Sequence, residues 1–291
     1  MHPEIVIFDI THRCTSQCAG CAFREAEPGE LAAHRWVDLA REAKAQGFRQ
    51  VVVTGGEPLA HPEIATILAG IAQSLPIALM TNGLALRKHA PLVRAHVAEV
   101  YVSWDAATEQ TYEQIRGVRG LSAVREGVAA VSGRTIHART TIWEHNVAEL
   151  DAIRVAAEAA GCTEMSVLAA DTSSDGFGAR GLERGRGPRR DQLPALAAFL
   201  GREDPFVRMS AEAKARVLTL AAGSPTPPRC AAPWTSGVVD SVGNWRHCFF
   251  LASSRDVDDG LRAAMAGARA ERRQIDVRTN PVCAKCVCWR A

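Results

Sequence analysis

The chain has 291 residues, 47% of them apolar, with a formal net charge of +2. That length accommodates one large α/β domain, or a large domain with a small companion. The near-neutral charge excludes a strong pull toward nucleic acid or an anionic membrane, and no apolar run approaches the ~18 residues of a membrane helix.

In chain order, six short apolar runs predict strands: Glu4–Ile10, Gln50–Gly56, Pro76–Gly83, Ala98–Ala106, Arg134–Ile142 and Glu164–Asp171. Helical stretches separate them; in one, Ile64, Ile67, Leu68 and Ile71 recur along a single helix face. Continuous apolar strands alternating with helices imply a parallel sheet covered by helices. The expected fold is α/β, a partial (β/α)6 TIM-like barrel. A Gly/Arg-rich loop, Thr172–Arg190, follows, then two helices near Gln192–Leu200 and Ser210–Ala222. The Pro-rich Gly223–Arg229 marks the expected boundary between a core of residues 1–222 and a C-terminal unit of residues 223–291. That unit reads as a small β-hairpin around Gly243, a helix near Asp258–Ala270 and a terminal cysteine group, together a cluster-binding domain.

Met1 to Ile10 is short, carries Glu4 and Asp9, and does not read as a secretory signal. Nine cysteines without such a signal predict metal or redox chemistry in a reducing cytoplasm, not disulfides. Cys14, Cys18 and Cys21 arrive directly after the first strand, with Thr15, Ser16 and Gln17 reading as loop. Thiolates suit zinc or iron–sulfur clusters. Three sulfurs around a cube of iron and sulfide leave one iron without a protein ligand. Structural zinc wants four closed ligands, which His12 or His34 would complete.

The second strand ends in Thr54–Pro58, TGGEP, read alone as a strand-to-helix turn whose glycines permit the dihedrals. In a barrel of this kind function gathers at the C-terminal ends of the strands, so both motifs belong to one rim. Ser103 and Asp105 stand two apart at the end of the fourth strand, on one face, with Asp105 also a candidate helix cap. Asn146, with Glu149 three later, has the pattern of a helix N-cap. Arg116 and Arg139 are candidates for binding a carboxylate or for plain salt bridges.

Taken in order, Cys14-x3-Cys18-x2-Cys21 and then TGGEP, the stretch from about Ile5 to Asp171 resembles the radical S-adenosylmethionine (SAM) superfamily. The resemblance implies a 4Fe–4S cluster on the three cysteines, with the open iron binding the amino and carboxylate groups of SAM. It implies reductive cleavage of SAM to methionine and a 5′-deoxyadenosyl radical that removes a substrate hydrogen atom. A flavodoxin- or ferredoxin-type electron donor is the expected partner. Gly55, Gly56 and Glu57 would face the ammonium of SAM, Ser103 and Asp105 would line its pocket, and Asn146 would lie near the adenosine. The family usually has an aromatic residue before the third cysteine; this chain has Gly20, with Phe23 the nearby aromatic.

Cys230 and Cys248 straddle the predicted hairpin, and Cys283-x2-Cys286 closes the set from the terminus. Four thiolates from distant segments fit a zinc ribbon or a second cluster. Beside a radical SAM core they resemble the auxiliary domain called twitch, the reduced form of the SPASM domain. That resemblance implies a second, auxiliary 4Fe–4S cluster on these four. Cys288 is left over, a candidate hydrogen-atom donor, and Cys162 reads as core. The first strand starts near Glu4, with no room before it for an added peptide-binding domain. The expectation is therefore dehydrogenation or epimerisation of a small polar substrate, such as an aminosugar or aminocyclitol in natural-product biosynthesis. A ribosomal-peptide maturase is the alternative. From other classes stand a non-catalytic electron carrier and a zinc-stabilised scaffold.

Overall fold

The computed structural model describes residues 2–18, 21, 29–170, 187–224, 230–249, 251, 254–284 and 286. Its strands are β1 (Ile5–Asp9), β2 (Gln50–Thr54), β3 (Ile77–Thr81), β4 (Glu99–Ser103), β5 (Thr135–Ile142), β6 (Glu164–Ala169), β7 (Ser236–Val239), β8 (Asn244–Arg246) and β9 (Ser254–Asp256). Helices α1 (Ala33–Ala45), α2 (Ile64–Ala72), α3 (Leu86–His96), α4 (Glu109–Arg116), α5 (Leu121–Ala130) and α6 (Leu150–Ala160) lie between the first six strands. After β6 come α7 (Leu193–Gly201), α8 (Ala211–Ala221), α9 (Leu261–Arg272) and α10 (Pro281–Ala284).

One sheet runs in the order β6-β5-β4-β3-β2-β1-β7-β8-β9. Every pairing from β6 through β7 is parallel, and β8 and β9 close the edge antiparallel. The sequential β1 to β6 order, with a helix in each crossover, is the partial barrel expected. Each parallel crossover needs a helix's length of chain, which is why strand and helix alternate.

The expected hairpin is present as β7 and β8, but it continues the core sheet. β7 pairs with β1 from Ile5↔Ser236 to Phe8↔Val239. Gly237 lets the Trp245 ring of β8 lie against β7, since a Cβ there would meet that ring at 2.1 Å. β9, a three-residue strand, was not foreseen: its run is too short to show a period.

The two sheet faces differ sharply. Val6, Phe8, Val51, Val53, Leu79, Val100, Val102, Ile136 and Ala138 turn toward the helices and join one continuous apolar core. The alternate positions point the other way, into the concavity. On β4 to β6 these are Glu99, Tyr101, Ser103, His137, Arg139, Glu164 and Ser166, all partly accessible. Among the described residues no helix is long and apolar enough to cross a membrane. Most of the Gly/Arg-rich loop lies outside the described residues.

Candidate active site

The loop after β1 carries Cys14, Cys18 and Cys21, each a partly accessible thiol outside any disulfide. Backbone hydrogen bonds fasten it to the turn after β2: Gly56 N–H donates to the Thr11 carbonyl and Glu57 N–H to the Arg13 carbonyl, each at 2.7 Å. The two chains lie so close that side chains do not fit between them. A Cβ on Gly55 would meet the Thr11 carbonyl oxygen at 2.4 Å, and one on Gly56 the Arg13 carbonyl oxygen at 2.5 Å. The glycines of TGGEP thus serve close approach of the cysteine loop as well as the turn.

Glu57 is fully buried. Its Oε1 accepts from Leu59 N–H at 3.1 Å and Thr81 Oγ1 at 2.8 Å, its Oε2 from Asn82 N–H at 2.7 Å. Burial pushes its carboxyl above the usual range, while those donors work against the shift. The side chain therefore ties the ends of β2 and β3 together. Asn82 continues the tie, donating from Nδ2 to Thr15 Oγ1 at 3.0 Å and Ser16 Oγ at 3.1 Å. Sequence reasoning missed Asn82; its place one residue past β3 at the same rim was the available signal.

On the far side α4 grips the loop. Gln17 N–H donates to the Arg116 carbonyl at 2.9 Å, and Arg116 Nη1 donates to Cys18 Sγ at 3.7 Å. Arg116 also pairs with Asp105, Nη2 to Oδ2, at 2.5 Å. Asp105 does not cap the helix: Thr108 does, accepting from Thr111 N–H at 3.2 Å. The Asp105 carboxylate instead accepts from Thr141 N–H at 2.7 Å and holds Arg116. Ser103 ends β4 in register with Arg139 on β5, whose guanidinium lies 5.4 Å from the Tyr101 ring centroid.

Asn146 is fully buried and bridges loops, donating to the carbonyls of Asp105 at 2.9 Å and Thr141 at 2.8 Å. It makes no side-chain cap. Glu149, expected as its capping partner, reaches across to α4 and accepts from Ala107 N–H at 2.9 Å and the Thr108 and Thr111 hydroxyls. Two residues that looked like a local cap are therefore long-range ties. Of the proposed zinc-completing histidines, His12 stands 3.7 Å from Asp9 and His34 is exposed on α1.

At the other end, Cys283 is buried, and burial together with the nearby Cys248 and Cys230 sulfurs raises its thiol pKa, with Arg272 opposing. The Cys286 N–H donates to the Cys283 carbonyl at 3.2 Å, and Arg216 Nη2 donates to the Cys286 carbonyl at 2.8 Å. A buried thiol crowded by two other cysteines is a donor set that a cationic centre relieves. Cys162 lies in the core, its thiol pushed by burial up to about 12. Gly20, Phe23 and Cys288 lie outside the described residues.

Among the described residues no group of three or more His, Cys, Asp or Glu side chains is arranged to hold a single metal ion. For the N-terminal loop the fit to an iron–sulfur cube rests on its donor chemistry. There are three thiols on one fastened loop, with N–H groups of Ser16 and Arg116 directed at two of the sulfurs.

A partial parallel barrel with a three-cysteine loop locked to a glycine turn at its rim is the arrangement expected of a SAM-dependent iron–sulfur enzyme. Residues 8–144 match the sequence model of the Radical SAM superfamily, so the chain carries a radical SAM domain. Over 122 residues it is 33% identical to a probable GTP 3′,8-cyclase of Archaeoglobus fulgidus, covering 41% of each chain. Over 201 residues it is 28% identical to the PqqA peptide cyclase of Gluconobacter oxydans, covering 66% of this chain and 55% of that one. The matches thus span about half the length of these curated relatives. Streptococcus suis SuiB bound to precursor peptide SuiA shares the fold over 99% of this chain and 72% of its own, with a TM-score of 0.73 at 14% identity. Native anSMEcpe with bound AdoMet does so over 97% and 86%, with a TM-score of 0.69 at 13% identity.

Proposed function

We propose that this radical SAM enzyme holds a 4Fe–4S cluster on Cys14, Cys18 and Cys21 and acts on a small polar substrate in the barrel's concavity. The observation that carries the reading is the locking of the cysteine loop against Gly55–Glu57 at the strand ends. When bound, cluster and SAM supply a one-electron cleavage that yields methionine and a 5′-deoxyadenosyl radical, the electron coming from a flavodoxin- or ferredoxin-type donor. Gly55 and Gly56 form the wall on the SAM ammonium side and Ser103 lines the pocket, while the buried Glu57, Asp105 and Asn146, expected to face SAM directly, brace these walls from behind.

The polar concavity supports the substrate class. Tyr101 and His137 stack with ring centroids 4.2 Å apart, and Tyr101 Oη donates to Glu99 Oε2 at 3.0 Å. His137 Nδ1 contacts Glu164, and Arg208 Nη1 lies 3.2 Å from the same carboxylate. A hydroxyl- and amine-bearing ring such as an aminosugar or aminocyclitol matches a concavity whose floor carries these groups and whose rim side carries Ser103 and Arg139. Dehydrogenation would need an electron acceptor, supplied by an auxiliary cluster on Cys230, Cys248, Cys283 and Cys286 in a domain of residues 223–291. The proton lost with that electron would pass to water. Epimerisation would instead need a hydrogen-atom donor, the role suggested for Cys288. The reducing chemistry suits a cytoplasmic setting.

A second reading, maturation of a ribosomal peptide by epimerisation or crosslinking, is favoured by the 66% of the chain that aligns with a PqqA peptide cyclase.

The test is anaerobic reconstitution followed by iron analysis, then SAM with dithionite. The expected product is 5′-deoxyadenosine, abolished by Cys14→Ala, Cys18→Ala or Cys21→Ala. A fully loaded protein that leaves SAM intact overturns the reading. Aminocyclitols against short peptides, scored by acceleration of 5′-deoxyadenosine release, separate the two substrate classes.

A further inference from the structure

Arg116 is a partly buried cation set between one carboxylate and one thiol. Its side chain is 13% exposed and that of its partner Asp105 only 2%. Nη2 is held by Asp105 at 2.5 Å, while Nη1 points at Cys18 Sγ from 3.7 Å. Its Nε has no hydrogen-bond partner among the described residues, so the guanidinium is directed at these two groups.

The geometry is fixed from both ends. The Arg116 carbonyl accepts from Gln17 N–H at 2.9 Å, inside the cysteine loop. Gly117 follows in the left-handed region, φ +68°, where a Cβ would meet the Gln17 carbonyl oxygen at 2.1 Å. Asp105 in turn is anchored by the Thr141 N–H at 2.7 Å. A residue needed only for salt-bridge stability would not have to meet a cysteine of the loop at all.

We infer that Arg116 is a positioning residue that sets the reduction potential of the N-terminal cluster, its charged N–H donating to the Cys18 sulfur, with Asp105 aiming it and partly offsetting its charge. Accepting an electron makes a cluster more negative. A cation donating to a ligating sulfur favours that state and raises the potential, and an unpaired carboxylate nearby lowers it. The inference rests on Cys18 being a cluster ligand.

The test is a redox titration of the reconstituted full-length protein, followed by electron paramagnetic resonance without SAM. The N-terminal signal is identified beforehand by its change on SAM addition. Arg116→Gln should disfavour the reduced cluster by at least tenfold, a fall of about 59 mV for a one-electron couple. Asp105→Asn should move the potential the opposite way, and Arg116→Lys, which keeps the charge, should fall between wild type and Arg116→Gln. Shifts of one sign in Arg116→Gln and Asp105→Asn, or none in either, overturn the inference. Should Arg116→Gln fail to hold the cluster, the sign in Asp105→Asn decides: a fall or no change overturns it. Cys18→Ala serves as the control on its foundation. If the N-terminal signal survives there, the ligand reading itself fails; if it is lost while Arg116→Gln is silent, only the tuning role fails.

Discussion

The two cysteine sites are built in opposite ways. The N-terminal loop draws its cysteines from eight consecutive positions and is fastened on three sides, by the turn after β2, by Asn82 after β3 and by the end of α4. The C-terminal set gathers Cys230, Cys248, Cys283 and Cys286 from segments far apart in sequence, joined by a short hairpin and a four-residue helix. One site is moulded by a rigid barrel before any cofactor arrives. The other is assembled from separate segments, so the proposed cluster there would itself join Cys230 and Cys248 to Cys283 and Cys286.

The largest expected contrast follows from that difference. If Cys230, Cys248, Cys283 and Cys286 hold the proposed auxiliary cluster, Cys283→Ala should remove about four of about eight irons per chain. It should abolish product formation with a substrate while leaving uncoupled 5′-deoxyadenosine release, because the loop around Cys14 does not depend on Cys283. Iron analysis and product assays check it, and loss of both activities together would mean that the two sites are not separable.

Next in size is a pair of glycine substitutions. Gly56→Val drives a side chain into the Arg13 and His12 carbonyl oxygens, which a Cβ already meets at 2.5 Å and 2.8 Å. Both are backbone atoms, so the loop itself must shift, at a cost of roughly 3 kcal/mol. Gly243→Ala, in the hairpin, meets only the flexible end of Leu31 at 3.3 Å and pays mainly for its φ of +93°, about 1–2 kcal/mol. Chemical denaturation gives both costs. The first variant should also lose the N-terminal cluster while the second keeps it.

Glu149→Gln probes the tie between the β5 rim and α4, distant from either set of thiols. It weakens acceptance from Ala107 N–H and two threonine hydroxyls, for about 1 kcal/mol, with both clusters retained. A cost indistinguishable from zero would show that α4 needs no help in holding Arg116.

How much of this was legible beforehand depended on sequence distance. Cys14, Cys18, Cys21 and Gly55–Glu57 announce themselves because each motif is contiguous and sits at a strand end, where the barrel's geometry leaves one rim. The six core strands were readable because β1 to β3 are nearly continuous apolar runs and β4 to β6 alternate apolar with polar residues. Side-chain ties between loops were not readable. Nothing local distinguishes Glu149 as a cap for its neighbour's helix from Glu149 as a cap for its own, and Asp105 looked equally ready for either duty. The parallel docking of β7 on β1 was hidden for the same reason: more than 220 residues separate the partners, Phe8 and Val239 among them.

The smallest effect concerns the thiol that belongs to neither site. Cys162 is buried in the core, and desolvation raises its pKa to about 12. A thiol reacts as the thiolate, so at pH ~8 native Cys162 should resist iodoacetamide while unfolded chains are alkylated within the same interval. The sign of the linked stability follows. Above the unfolded thiol's pKa of about 8.5 the unfolded chain sheds the proton and the native one keeps it, so this group's contribution declines until the native pKa is passed. Cys162→Ala should flatten that decline, at the cost of a small cavity of about 1 kcal/mol at neutral pH. Mass spectrometry of alkylated protein and denaturation midpoints across pH measure the two halves. Fast native labelling would mean that the α6–β6 corner opens readily, placing local flexibility where the packing indicates none.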